Sequence, residues 1–211
     1  GPGTPPPPGA PPSNPPTPAP EPSPARAEFA YQAVDDAVHA FSVDLNSGAL
    51  TQIQQPESFT TALANWMAVD PRRRFFYVSN NPGNAHGNQL GDDPSITGFR
   101  IDPATGRFSP VPGSPLFVKP LGASAANGLA IESRGNFLYM IDGRGYFVFR
   151  IEDSGQLRLV EGSPMSPLGN QFIGAVAADP RGRFVYAASS TFGDNSKIWV
   201  HRVDPQTGIP T

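Results

Sequence analysis

From Glu28 to the end of the chain, apolar and polar side chains alternate in short runs broken by Gly, Pro, Asn and Asp. A period of two is the mark of strands with one face buried. Four of these runs share one motif, an aromatic-rich strand following a basic turn: EFAYQA around Tyr31, RRRFFYVSN around Tyr77, RGNFLYMID around Tyr139 and RGRFVYAAS around Tyr186. The tyrosines lie 46, 62 and 47 residues apart. Before three of them stands a short apolar strand ending at an acidic residue or Ser: NWMAVDP, NGLAIES and GAVAADP. After each comes a second alternating strand (AVHAFSVD, SITGFRID, YFVFRIE, KIWVHRVD), then the turns DLNSG, DPATG, EDSG and DPQTG. Their Asx and Gly chemistry suits a tight reversal. A further strand follows in ALTQIQ, RFSPVPGSP and QLRLVEGSP.

Four antiparallel strands per unit of about 46 residues describe a propeller blade, so the chain is read as an all-β β-propeller. With strands labelled A to D from the central channel outward, the order is BCD, ABCD, ABCD and ABC, about three and a half blades. They span approximately 29–64, 65–126, 127–173 and 174–211. The recurring pattern VAxDPxGRFxYxxN…VxxFxIDxxTGxLxxVxGSP resembles the lactonase-type, YVTN-repeat propellers, the 6-phosphogluconolactonase-like family, over nearly all of residues 29–211. That resemblance implies a seven-bladed ring, of which this chain would be an excerpt. The remaining blades of a longer chain are then expected partners, because half a ring leaves blade faces and edges unpaired.

Composition narrows the rest. A formal net charge of -3 with 16% charged residues gives no basic excess to hold nucleic acid or an anionic bilayer. There is no cysteine, hence no disulfide, thiolate ligand or cysteine nucleophile. No apolar run approaches the roughly 20 residues of a membrane span, and no charged-then-apolar signal opens the chain. Residue 1 is Gly rather than Met, so the true start and any signal are expected upstream. Of 27 prolines, 13 fall in the first 24 residues, a segment that would extend up to about 70 Å, and residues 1–28 read as a disordered proline-rich tether.

The A-to-B and C-to-D turns are short and repetitive and share one face of the disc. The B-to-C and D-to-A connections are long and dissimilar and share the other: residues 80–95, 142–145, 189–196 and 113–127. Loops on a rigid scaffold are where binding sits, which makes the channel mouth on this second face the candidate site. Asn65 and Asn127, which recur at the entry to A strands, Arg144 in the DGRG loop and His86 in the 80–95 insertion are the candidate ligand-binding residues. No catalytic or metal-ligating set and no cofactor is assigned; the oxygen-rich 80–95 insertion lacks calcium-loop spacing. His201 falls in the slot of Phe41, Phe99 and Phe149, and His39 in that of Thr97, Phe147 and Trp199, so both read as blade packing. Arg100, Arg150 and Arg202 recur as cross-blade contacts, Arg72, Arg73 and Arg74 read as a solvated turn, and Asp70, Glu132 and Asp179 as acceptors for the turn that follows them.

Two functions follow. The first is a non-catalytic, exported or cell-surface bacterial propeller that binds a partner or a small polar, carbohydrate-like ligand at its loop-rich face. The second is a lactonase, a sugar-lactone hydrolase or lactonizing enzyme, with catalytic residues partly outside this chain. Enzymes of the resembled family often carry a Pro-His pair entering an A strand; here those positions are Ala64-Asn65, Ala126-Asn127 and Ile173-Gly174.

Overall fold

The computed structural model describes residues 1, 3, 28–34, 37–55, 64–81, 93–142, 145–165, 173–189 and 197–211. The leader at 4–27 therefore lies outside the described residues. The first sheet joins β1 (Glu28–Val34), β2 (Ala37–Val43) and β3 (Leu50–Ile53), and the second β4 (Ala64–Val69), β5 (Phe75–Asn80), β6 (Ser95–Ile101), β7 (Phe108–Pro110) and β8 (Leu116–Phe117). The third holds β9 (Leu129–Ile131), β10 (Phe137–Ile141), β11 (Tyr146–Ile151) and β12 (Leu157–Leu159), and the fourth β13 (Ile173–Ala178), β14 (Phe184–Ser189) and β15 (Ile198–Arg202). Every neighbouring pair is antiparallel, the pattern of propeller blades. The 113–127 run, read from sequence as one long loop, instead holds β8, which pairs with β6, and a 3-10 turn at Lys119–Leu121.

Alternation works here because both faces of the second and third blades are covered by neighbours. In β11, Phe147, Phe149 and Ile151 face the preceding blade in a core with Phe75 and Tyr77. Tyr146 and Val148 face the following blade in a core with Val176 and Val185. A third core joins Val38 and Ala40 to Phe76, Phe99 and Phe108.

One polar latch recurs at each blade-to-blade junction. The B-strand tyrosine donates its hydroxyl to the carbonyl of the glycine in the next blade's C-to-D turn: Tyr31 to Gly106 at 3.0 Å, Tyr77 to Gly155 at 2.7 Å and Tyr139 to Gly208 at 3.0 Å. Burial raises the pKa of all three tyrosines, Tyr31 to about 12, so the donors stay protonated. The C-strand arginine reaches the same turns: Arg100 Nη2 donates to the Asp153 and Ser154 carbonyls and Arg150 Nη2 to that of Gln206. Each guanidinium also lies 4.7 Å from the centroid of a B-strand ring, Arg100 over Phe75 and Arg150 over Phe137. The cross-blade role expected of these arginines is thus seen directly.

The turns carry the chemistry the sequence promised. Asp44, Asp102 and Asp204 accept backbone N–H groups two or three residues ahead, and those bonds hold their carboxyls below the usual range. Buried Asp70, Glu132 and Asp179 likewise accept from the turns that follow them. The arginine triplet corrects the solvated reading. Arg74 pairs with Asp70 at 2.7 Å and donates to the Gly135 carbonyl of the next blade, and Arg73 pairs with Glu28 at 2.8 Å. Isolated strands would leave these cations in water; stacked blades bring acceptors to them.

His201 occupies its phenylalanine slot, with the ring edge-on to Tyr146 at 5.6 Å and 81°. Burial lowers its pKa from 6.5, because the charged ring is poorly solvated there. The unfolded chain takes up this proton from about pH 6.5 downward while the fold resists it, so the stabilisation is present above that pH and is lost as pH falls. His201→Phe is expected to flatten the acid-side loss in urea midpoints between about pH 7 and pH 5. An unchanged acid limb would contradict this account.

Candidate ligand site at the loop-rich face

The starts of the A and C strands and the ends of the B strands meet at one face, and the A strands share an irregularity there. β4 skips a residue in pairing with β5, so Ala64 faces Asn80, Trp66 faces Ser79, and Asn65 bulges. β13 does the same, with Ile173 opposite Ser189, Ala175 opposite Ala188, and Gly174 bulged. In the third blade Asn127 N donates to the Ile141 carbonyl while Ile141 N donates to that of Gly128, two residues against one at the same slot. A bulge re-aims a side chain and ends regular pairing, a device common beside binding sites. The slot is thus occupied by Asn65, Asn127 and Gly174, the positions singled out in the sequence as strand entries.

The two asparagines differ in what they touch. The Asn127 carbonyl accepts from Ser79 Oγ at 2.7 Å and its Oδ1 from Asn81 Nδ2 at 3.1 Å, tying the third blade to the second. Asn65 is exposed, beside Trp66, which is 43% exposed on the innermost strand. Just beyond β10, Asp142 is buried and accepts from Gly145 N at 3.2 Å and Ser124 N at 3.4 Å. Asn80, fully buried in the equivalent slot of β5, donates to Thr97 Oγ1 at 2.8 Å and Ser95 Oγ at 3.1 Å.

The structure thus puts Asn65 and Asn127 in one slot of successive blades, while Arg144, His86 and most of the 80–95 insertion lie outside the described residues. Sequence reasoning missed Trp66, Asn81 and Asp142. Trp66 had a signal: its counterparts, Gly128 and Ala175, are small. Asn81 and Asp142 had none, since a strand-end amide or acid is ordinary until a neighbour closes on it. An open cleft of about 230 Å³ lined by Arg100, Asp102, Arg107 and Phe108 lies on the opposite, short-turn face. Among the described residues, no group of three or more His, Asp or Glu side chains is placed to hold a metal. No helix among them is long and apolar enough to cross a membrane.

No family model matches the chain, and no curated protein matches it. Solved structures do. The periplasmic gluconolactonase of Pseudomonas aeruginosa is 17% identical, with a TM-score of 0.55, over 84% of this chain and 49% of that one. A Lactobacillus plantarum protein is 18% identical, with a TM-score of 0.61, over 90% and 56%. The hydrazine synthase of Kuenenia stuttgartiensis is 16% identical, with a TM-score of 0.52, over 85% and 56%. The fold is a β-propeller. The chain spans about half the length of the solved structures it matches. At these identities the likeness is one of fold, and a fold shared with a hydrazine synthase does not by itself choose a chemistry.

Proposed function

We propose that this chain is part of an extracytoplasmic propeller that binds a sugar lactone at its loop-rich channel mouth and hydrolyses it. The carrying observation is the repeated bulge that places Asn65 and Asn127 in one slot of neighbouring inner strands. The fold likeness to a periplasmic gluconolactonase supports a lactone among polyhydroxylated ligands, and a location outside the cytoplasm.

The chemistry asks for three things. Ring hydroxyls need paired donors and acceptors, which carboxamides provide without charge. The apolar face of a sugar ring needs a flat partner, and the exposed Trp66 indole beside Asn65 offers one. Water attack on the ester carbonyl creates an oxyanion and releases a proton, calling for N–H donors and a general base. With Oδ1 of Asn127 engaged by Asn81, its Nδ2 is the end left for a ligand oxygen. The Asp142 carboxylate directly follows Ile141, whose carbonyl accepts from Asn127 N, and Arg144, two residues further along the sequence, is a cation suited to a product carboxylate.

A second reading, non-catalytic binding of a small polar ligand by the same residues, is favoured by one observation: none of Asn65, Asn127 or Gly174 is a histidine. Titration with gluconate followed by amide NMR, and base uptake with glucono-1,5-lactone, separate the two. Saturable binding with hydrolysis above the spontaneous rate is expected. Asn65→Ala and Trp66→Ala, both at exposed positions, should each weaken binding about tenfold, the worth of one hydrogen bond or stacked ring. Binding without hydrolysis would support the second reading, and no binding at all would sink both.

A further inference from the structure

The junction between the second and third blades holds polar contacts that the next junction does without. Counted from the B-strand tyrosines, Ser79 of β5 falls in the slot of Ile141 in β10 and of Ala188 in β14. Ser79 and Ile141 are both fully buried, and Ile141 packs in the apolar core shared with the fourth blade. Stacking therefore does not require a hydroxyl in this slot. A buried hydroxyl costs stability unless it is hydrogen-bonded, so its presence in one blade calls for a partner.

The partner is the bulge at Asn127. Asn127 N donates to the Ile141 carbonyl at 2.9 Å and Ile141 N to the Gly128 carbonyl at 3.1 Å, so this pairing leaves the Asn127 carbonyl out of the ladder. Ser79 Oγ, from the second blade, donates to it at 2.7 Å. The same Oγ lies 3.5 Å from the carbonyl of Trp66, the residue after the Asn65 bulge, so one atom lies against both strand entries. Two residues on, Asn81 Nδ2 donates to Asn127 Oδ1 at 3.1 Å. The first contact fixes the backbone of Asn127, and the second fixes the rotation of its carboxamide. In the fourth blade the Asn127 slot holds Gly174, and the blade before it carries Ile141 in the Ser79 slot, so neither contact can form there.

We infer that Ser79 and Asn81 are positioning residues of the ligand site, holding Asn127 so that its Nδ2 meets a ligand oxygen at a set distance from Asn65 and Trp66. The inference rests on the reading of the channel mouth as a ligand site. Ser79 is fully buried and acts through Asn127; the Asn81 amide N–H is likewise engaged by Asn127. A binding group held by a neighbour's hydrogen bonds loses less freedom on meeting its ligand, which is the gain such support gives.

The test follows gluconate binding to the full chain by amide NMR, with the Asn127 side-chain signals as the local probe and urea midpoints confirming that each variant folds. Ser79→Ala places the fourth blade's own residue in the slot. It is expected to fold, to shift the ligand-free Asn127 Nδ2 signals, and to weaken gluconate binding about tenfold. Ser79→Thr keeps the hydroxyl on a β-branched side chain like that of Ile141, and should return the affinity to within about threefold of the unmodified chain. Asn81→Leu removes the second donor without adding charge or touching the buried slot, and should also cost about tenfold. Binding indifferent to Ser79→Ala and Asn81→Leu overturns the inference while leaving the ligand site standing. So does a loss that Ser79→Thr fails to restore, or one that leaves the ligand-free Asn127 signals unmoved. Failure of the unmodified chain to bind gluconate is a separate outcome, which removes the ligand reading and this inference with it.

Discussion

Gly155→Ala is expected to destabilise the fold by about 2–4 kcal/mol, seen as a lowered urea midpoint with an unchanged slope. Two penalties add. Gly155 sits at φ +87°, where a Cβ crowds its own backbone at a cost of about 1–2 kcal/mol. The same Cβ would lie 2.6 Å from Phe75 Cε1 and from Val111 Cγ1, forcing the third blade away from the second and lengthening the bond from Tyr77 to the Gly155 carbonyl. Gly48→Ala supplies the comparison. Its φ is +73° but its surroundings are open, so it should cost only the backbone part, about 1–2 kcal/mol. Equal losses at the two sites would show that glycine serves the turn alone and not the stacking of blades.

The second large effect is expected at a carboxylate. Glu132 is 4% exposed, and each of its oxygens accepts a backbone N–H at 2.7 Å, Oε1 from Asn136 and Oε2 from Arg134. Glu132→Gln keeps the shape but turns one acceptor into an N–H₂ facing a buried N–H donor. Removing a charge-assisted bond and leaving a buried donor unmet should cost about 2–3 kcal/mol. The same denaturation series reads it, and a loss under about 0.5 kcal/mol would mean that the turn rearranges to satisfy itself.

These sites show how much was legible beforehand. The blade repeat was, because a strand buried on both faces by identical neighbours must repeat its aromatic and Asx-Gly positions at a fixed interval. The packing slot of His201 followed from that register alone, and so did the outward turn of Arg100 and Arg150 from the phenylalanines. The arginine triplet did not follow. Arg73 and Arg74 look solvated until stacking delivers Glu28 and the Gly135 carbonyl from adjoining blades.

At the mouth, the chain order alone marked Asn65 and Asn127 as equivalent, but the bulge that gives the slot its direction is a property of pairing with β5 and β10. The amide contact between Asn81 and Asn127 joins residues 46 apart in the chain. Local pattern therefore determined the repeated strands and their turns, though not β8 or the bulges, since period-two burial and left-handed glycines are decided within a few residues. What meets what across blades was decided only by the stacked structure, because a strand's sequence says that a face is apolar without naming the residue that covers it.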